Sequence, residues 1–191
     1  VYSETPYYKE LFGQTRRISL PVYEKESNVF FVNEAGILNN RSKESGTDFL
    51  GNSRSIVYLD MDRDGDLDIL MNNYHGKAMV FRNNMSRLKN HWIRVRLEGN
   101  PDLKCNRDAI GSRIYFMKNG RLLGMREIQA GQAYLSMFPK TKHFGLGNLN
   151  TIDIEIHWAN GQRSYFRNLK SMALYRVELK KEKSEIKQIR I

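Results

Sequence analysis

The chain has 191 residues, 40% of them hydrophobic and 27% charged; this excludes an intrinsically disordered chain and leaves room for one good core or two small ones, since domains commonly run to about 100–150 residues. Its formal charge is +10, with Lys and Arg dispersed apart from Arg16-Arg17 and the run Lys180-Lys181-Glu182-Lys183, so the excess reads first as solvation of strand faces and second as affinity for nucleic acid, anionic glycans or acidic partners. No apolar run approaches the ~20 residues that cross a bilayer, and the single cysteine, Cys105, excludes an intrachain disulfide.

Val1 to Ser27 show no clean period and no leader, although a processed or truncated chain would look the same. From Asn28 onward the pattern is strand-like. Asn40 to Asn52, rich in Ser, Gly, Asn and charge, reads as a long loop. Ser55–Leu59 and Leu67–Met71 read as strands on either side of an acidic turn. The polar stretch Asn84–Asn90 reads as a boundary. In His91–Leu97 the apolar Ile93, Val95 and Leu97 alternate with Arg94 and Arg96, the period of a half-buried strand. Ile152, Ile154, Ile156 and Trp158 share a face in the same way, which places Trp158 in the core. Asn119-Gly120 and Asn160-Gly161 each follow a strand, and Asn-Gly readily takes the positive φ values of a hairpin turn. Ala173, Tyr175, Val177 and Leu179 form a last alternating strand. Ser184 to Ile191 is expected to be a short terminal helix or a solvated tail.

These signals predict an all-β chain: a β-hairpin segment around the acidic turn, read below as calcium-binding and, through a family resemblance, as a propeller-blade segment, followed by a β-sandwich or barrel-like domain. The expected divisions are a poorly defined segment 1–27, a calcium-loop segment 28–88, a β domain 89–180 and a basic tail 181–191.

The acidic turn carries the chemistry. Asp60, Asp62, Asp64, Asp66 and Asp68 fall at alternate positions, with Gly65 among them to turn the chain sharply. A hard cation such as Ca²⁺ takes six to eight oxygens at ~2.3–2.6 Å, and a curled loop aims alternate side chains inward. The expected ligands are side-chain oxygens of Asp60, Asp62, Asp64 and Asp68 and the carbonyl of Asp66. So many carboxylates repel one another without a cation. The loop is not an EF-hand, since position 12 is Met71 rather than Glu and the flanks read as strands.

Asn28 to Gly36, Asp60 to Asp68, Ile69 to Tyr74 and Val80 to Asn84 together resemble one FG-GAP/VCBS repeat, the unit of integrin-like β-propellers. His91-Trp92, Asn106 to Arg113, Gly131 to Ser136, His143 to Gly147 and Ile156 to Gly161 resemble the ASPIC/UnbV domain of cartilage-acidic-protein-like proteins. The resemblance implies an extracytoplasmic (periplasmic, cell-surface or secreted) calcium-dependent binding or scaffolding protein with no catalytic centre. One repeat is present, and one blade cannot close a propeller.

The remaining chemistry is thin. His75, His91, His143 and His157 have no zinc spacing. Arg107-Asp108 reads as an internal pair or turn before a bulge at Gly111, rather than as a carboxylate or sulfate clamp. Tyr134, Phe138, Trp92 and Trp158 are candidates for a sugar platform but more readily fill a core, as Trp158 does by its shared face with the isoleucines. The leading expectation is a non-enzymatic calcium-binding module for protein or glycan interaction, part or subunit of a larger assembly. A nucleic-acid-binding β domain is the first alternative, resting on the charge and on a role ascribed to relatives. A polysaccharide-active enzyme accessory domain is the second.

Overall fold

The computed structural model describes residues 26–84 and 90–189. Most of the 1–27 segment, the interior of the Asn84–Asn90 boundary and the last two residues of the basic tail lie outside them. Among the described residues, one compact unit comprises residues 26–53 and 74–76, and a second comprises 54–73, 77–84 and 90–189.

In the first unit, β1 (Glu26–Ser27) pairs with a later short strand, and β2 (Phe31–Glu34) turns back on β3 (Ile37–Asn40). The turn uses positive φ at Ala35 and Gly36, and Asn33 Oδ1 accepts the Gly36 N–H at 2.8 Å. The stretch expected to be a loop contains one helical turn, α1 (Ser42–Ser45), and β4 (Leu50–Gly51), the partner of β1. Side-chain bonds account for the turn. Asn40 Oδ1 accepts from the Ser42 amide and hydroxyl, and Ser42 Oγ accepts the Phe30 N–H at 2.7 Å. Such short polar side chains give the backbone local partners outside a ladder.

The second unit opens with a three-stranded sheet in the order β5 (Ser53–Leu59), β6 (Asp68–Asn73), β7 (Met79–Phe81). The aspartate loop connects β5 to β6, as the flanking strand patterns predict. Eight strands follow: β8 (His91–Glu98), β9 (Arg113–Lys118), β10 (Arg121–Glu127), β11 (Lys142–Gly147), β12 (Thr151–His157), β13 (Arg163–Lys170), β14 (Ala173–Glu178) and β15 (Glu185–Ile189). They form two four-stranded sheets, β10-β9-β12-β13 and β11-β8-β14-β15. The first is antiparallel throughout. In the second, β8 and β14 run parallel, with Ile93 beside Ala173, Val95 beside Tyr175 and Leu97 beside Val177.

The inner faces of both sheets meet in one core. Ile93, Val95 and Leu97 of β8, Ile114 and Phe116 of β9, Ile152, Ile154 and Ile156 of β12, and Tyr175 and Val177 of β14 are all buried there. Phe116 and Phe144 stack across the two layers with centroids 4.3 Å apart. Trp158 belongs to this core, as its shared face with the isoleucines predicts, and its indole N–H is satisfied by Ser164 Oγ at 2.8 Å. Asn119-Gly120 is a two-residue hairpin with φ of 51° and 76°. Asn160-Gly161 sits in a longer connection in which the Trp158 N–H bonds the Gln162 carbonyl and Gly161 takes φ 88°.

The C-terminal expectation is corrected. Glu185–Ile189 is a strand, antiparallel to β14, with Ile186 opposite Val177 and packed against the core. A helix of so few residues has little intrinsic stability in water, whereas the edge of β14 offers a row of unpaired backbone groups.

Phe116 is fully buried. Phe116→Ala is expected to lower unfolding free energy by about 3–5 kcal/mol, read as a fall in the urea midpoint with an unchanged slope.

Candidate metal centre

The loop between β5 and β6 lies on the outer face of the β11-β8-β14-β15 sheet. Three side chains of that face hold it. Trp92 packs so closely on Gly65 that a β-carbon there would come within 1.8 Å of the indole nitrogen, and Gly65 has φ +98°. Both facts demand glycine. His143 Nε2 donates to the Gly65 carbonyl at 2.8 Å, and Arg94 Nη1 meets Asp60 Oδ2 at 2.6 Å. In β8 the inward residues are Ile93, Val95 and Leu97, so Trp92 and Arg94 fall on the opposite face by simple alternation. His143 of β11 is paired with Arg94 and shares that face.

The loop brings together three of the five aspartates. One carboxylate oxygen from each of Asp60, Asp62 and Asp64 lies within 4.8 Å of the others. Asp60 is the buried member, its side chain 2% exposed, and its Oδ1 has no hydrogen-bond partner. Burial raises its pKa above the usual carboxylate value and Asp64 adds to the rise, while Arg94 and the nearby amides of Arg63 and Gly65 oppose it. Asp62 is paired with Arg82 at 2.6 Å. Asp64 Oδ1 accepts the Asp66 N–H at 3.2 Å, a local turn that curls the chain.

Asp68 stands apart from this trio. It is 1% exposed, and its two oxygens accept the Met61 and Asn83 amides, each at 2.9 Å. The carboxylate thus ties the start of the loop to the segment after β7. Asn83 adds a bond from its side-chain nitrogen to the Leu67 carbonyl at 3.2 Å. A donor set of hard carboxylate oxygens, one of them buried without a hydrogen bond, suits a hard cation such as Ca²⁺.

His143 is drawn below its ordinary pKa chiefly by burial, despite the Gly65 carbonyl. Its pairing with a carbonyl requires the tautomer protonated at Nε2. The holders Trp92, Arg94, His143 and Asn83 are not among the residues expected to serve the loop. Trp92 carries a legible signal: a large aromatic on the polar face of β8 needs a cover.

The other singled-out residues sit elsewhere. Arg107 is exposed and pairs loosely with Asp108 at 3.6 Å, while Asp108 is held by Lys140 at 2.5 Å, an internal arrangement that holds its pKa down. Gly111 follows with φ 91°. Tyr134 is exposed, Phe138 stacks on Tyr58, and Trp92 and Trp158 are buried, so these four do not form one platform.

Residues 102–185 match the sequence model of the family described as ASPIC and UnbV. Cartilage acidic protein 1 of Mus musculus and of Homo sapiens are each 34% identical over 113 residues, covering 56% of this chain and 16% of the relative. The Xenopus tropicalis protein of that name is 34% identical over 110 residues, covering 54% and 16%. The chain therefore carries an ASPIC/UnbV domain and is homologous to cartilage-acidic-protein-like proteins, of whose length it spans a small part. A solved structure from Bacteroides uniformis, provisionally described as a cell adhesion protein, aligns at TM-score 0.31 and 9% identity over 90% of this chain and 92% of that one.

Loss of the Asp68 clamp acts without any metal. Asp68→Ala is expected to cost about 1–3 kcal/mol in chelator, because it strands two amides. The exposed Asp62→Ala should stay within about 0.5 kcal/mol under the same conditions. Equal effects in denaturant titrations of the two variants would contradict the division.

Proposed function

We propose that this chain is a calcium-stabilised, non-enzymatic β module that binds a protein or glycan partner outside the cytoplasm, as part or subunit of a larger assembly. The observation that carries the reading is the Asp60 carboxylate, buried and with one oxygen unbonded, converging with Asp62 and Asp64. Those three would supply side-chain oxygens. Asp66 would add its carbonyl, and Asp68, with both oxygens already accepting amides, would join through a remaining lone pair. The bound ion would neutralise the loop and fix the β5–β6 connection as a structural element. The FG-GAP/VCBS resemblance of 28–84 supports this assignment, and a three-stranded sheet around the loop is compatible with part of a blade.

An extracytoplasmic setting suits a site of this kind, because millimolar calcium fills even weak sites there. The homology to cartilage-acidic-protein-like proteins supports the same placement. The non-enzymatic reading is supported by how the acidic groups outside the loop are used. Glu155 is held by His157 and Tyr165, Glu178 by Lys180, and Asp108 by Lys140, each in a local contact on the surface.

Calorimetric titration of calcium into the full chain, with melting in calcium and in chelator, tests the proposal. One ion per chain is expected. At a hundred times the dissociation constant the ion should add about 2.7 kcal/mol to stability, a rise of several degrees in Tm. Asp60→Ala and Asp64→Ala should both abolish the heat, the second without disturbing the Arg94 contact. Absence of heat and of any Tm difference would overturn the calcium reading and favour binding of nucleic acid through the basic surface.

A further inference from the structure

Beside the aspartate loop is a cleft of about 320 Å³, lined among others by Tyr58, Asp60, Arg94, Arg126, Lys142 and His143. Its charge is lopsided. Arg94, Arg126 and Lys142 line it together with a single carboxylate, Asp60, which Arg94 already claims at 2.6 Å. The buried Nε of Arg94 has no hydrogen-bond partner. Lys142 is 5% exposed, and among the described residues its Nζ meets no carboxylate. Among those residues Nζ makes a single, long hydrogen bond of 3.5 Å to Gln132 Oε1. Arg126 donates Nε and Nη1 to the carbonyls of His143 and Met125.

A buried ammonium without a counter-charge costs several kcal/mol, which is why buried charges are nearly always paired. Here burial and the nearby Arg126 both act against the charge on Lys142. An anion entering the cleft beside Lys142 and Arg126 would relieve that cost. The lining also contains Tyr58, exposed on one side and stacked on Phe138 with centroids 4.1 Å apart. A flat aromatic face beside a cationic pocket is the arrangement that holds a ring with an apolar side and an anionic substituent.

We propose that this cleft binds the carboxylate or sulfate of an acidic sugar, with Arg126 and Lys142 pairing with the anion and Tyr58 against the ring. The proposal rests on the reading of the chain as an interaction module and names the class of glycan it takes. The cleft volume suits one or two sugar units, so the ligand is the acidic residue of a longer glycan.

Calorimetric titration of the full chain with glucuronate and with glucosamine 6-sulfate tests it, with glucose, acetate and inorganic sulfate as controls. At least one acidic sugar should bind saturably at one per chain, and glucose should not. The sugar that binds tells which anion is taken. Arg126→Gln, at an exposed position, should weaken binding at least tenfold without changing Tm. Lys142→Met should do the same with Tm unchanged or raised, since it removes an uncompensated buried charge. Failure of both acidic sugars to bind, full binding by Arg126→Gln, or equally tight binding of acetate or sulfate would each overturn the proposal. Equally tight binding of a short peptide ending in a carboxylate would also overturn it. Calcium titrated into the same samples separates the readings: calcium heat without sugar binding sinks the cleft alone, and sugar binding without calcium heat sinks the metal loop alone.

Discussion

The close contact between Gly65 and Trp92 is the constraint on which the acidic loop depends. No side chain fits at Gly65, and the loop can approach the sheet only because the indole finds bare backbone there. Once the backbone is that near, His143 reaches the Gly65 carbonyl and Arg94 reaches Asp60. Asp68 then closes the loop from inside by accepting amides from its start and from beyond β7. The sheet therefore imposes the loop's curl, and the convergence of Asp60, Asp62 and Asp64 follows from that curl. A loop shaped from outside is preorganised, so less of a ligand's binding energy goes into ordering it.

The same contact sets the local electrostatics. Arg94 is carried to the loop by strand alternation, and it offsets part of the repulsion among the carboxylates. It does so from one side only, leaving Asp60 Oδ1 buried and unbonded. On its other side Arg94 faces a cleft where positive charge is in excess. Acidic loop and basic cleft are two sides of one buried ion pair. The net charge of +10 is thus less informative than its distribution, since many exposed cations are matched by nearby carboxylates, as in Arg113–Glu127 and Lys180–Glu178.

Much of this was legible in the residues. The alternation of Ile93, Val95 and Leu97, the isoleucines of β12 and the Asn-Gly turns give all-β structure directly, because period-2 burial and positive φ are local requirements. The spacing of the aspartates places the acidic loop for the same reason. Sheet partners are another matter. Nothing local to β8 says that it pairs with β14 in parallel, nor that Trp92 waits for Gly65 from a segment far earlier in the chain. The terminal strand is not legible locally, because Glu185–Ile189 carries weak intrinsic preference and takes its conformation from the edge of β14. Asp68 looks like any other member of the alternating series, and only the positions of the Met61 and Asn83 amides separate clamp from cluster.

The topology makes the loop's landing surface a late product of the fold. The chain lays down β8 in one sheet, β9 and β10 in the other, β11 back beside β8, β12 and β13 beside β9, and finally β14 and β15. The sheet that bears Trp92 and Arg94 is completed last, by β14 and β15, and the core that holds those side chains outward includes Tyr175 and Val177 from β14. Non-local pairings of this sort form slowly, because loop closure must precede the contacts that reward it. The outer face that receives Gly65 joins β8 to β11, so it exists only when β9 and β10 have folded away into the opposite layer. The landing surface is thus tied to the two-layer core, since β11, which carries His143 to the loop, is stacked on the opposite layer through Phe144 and Phe116.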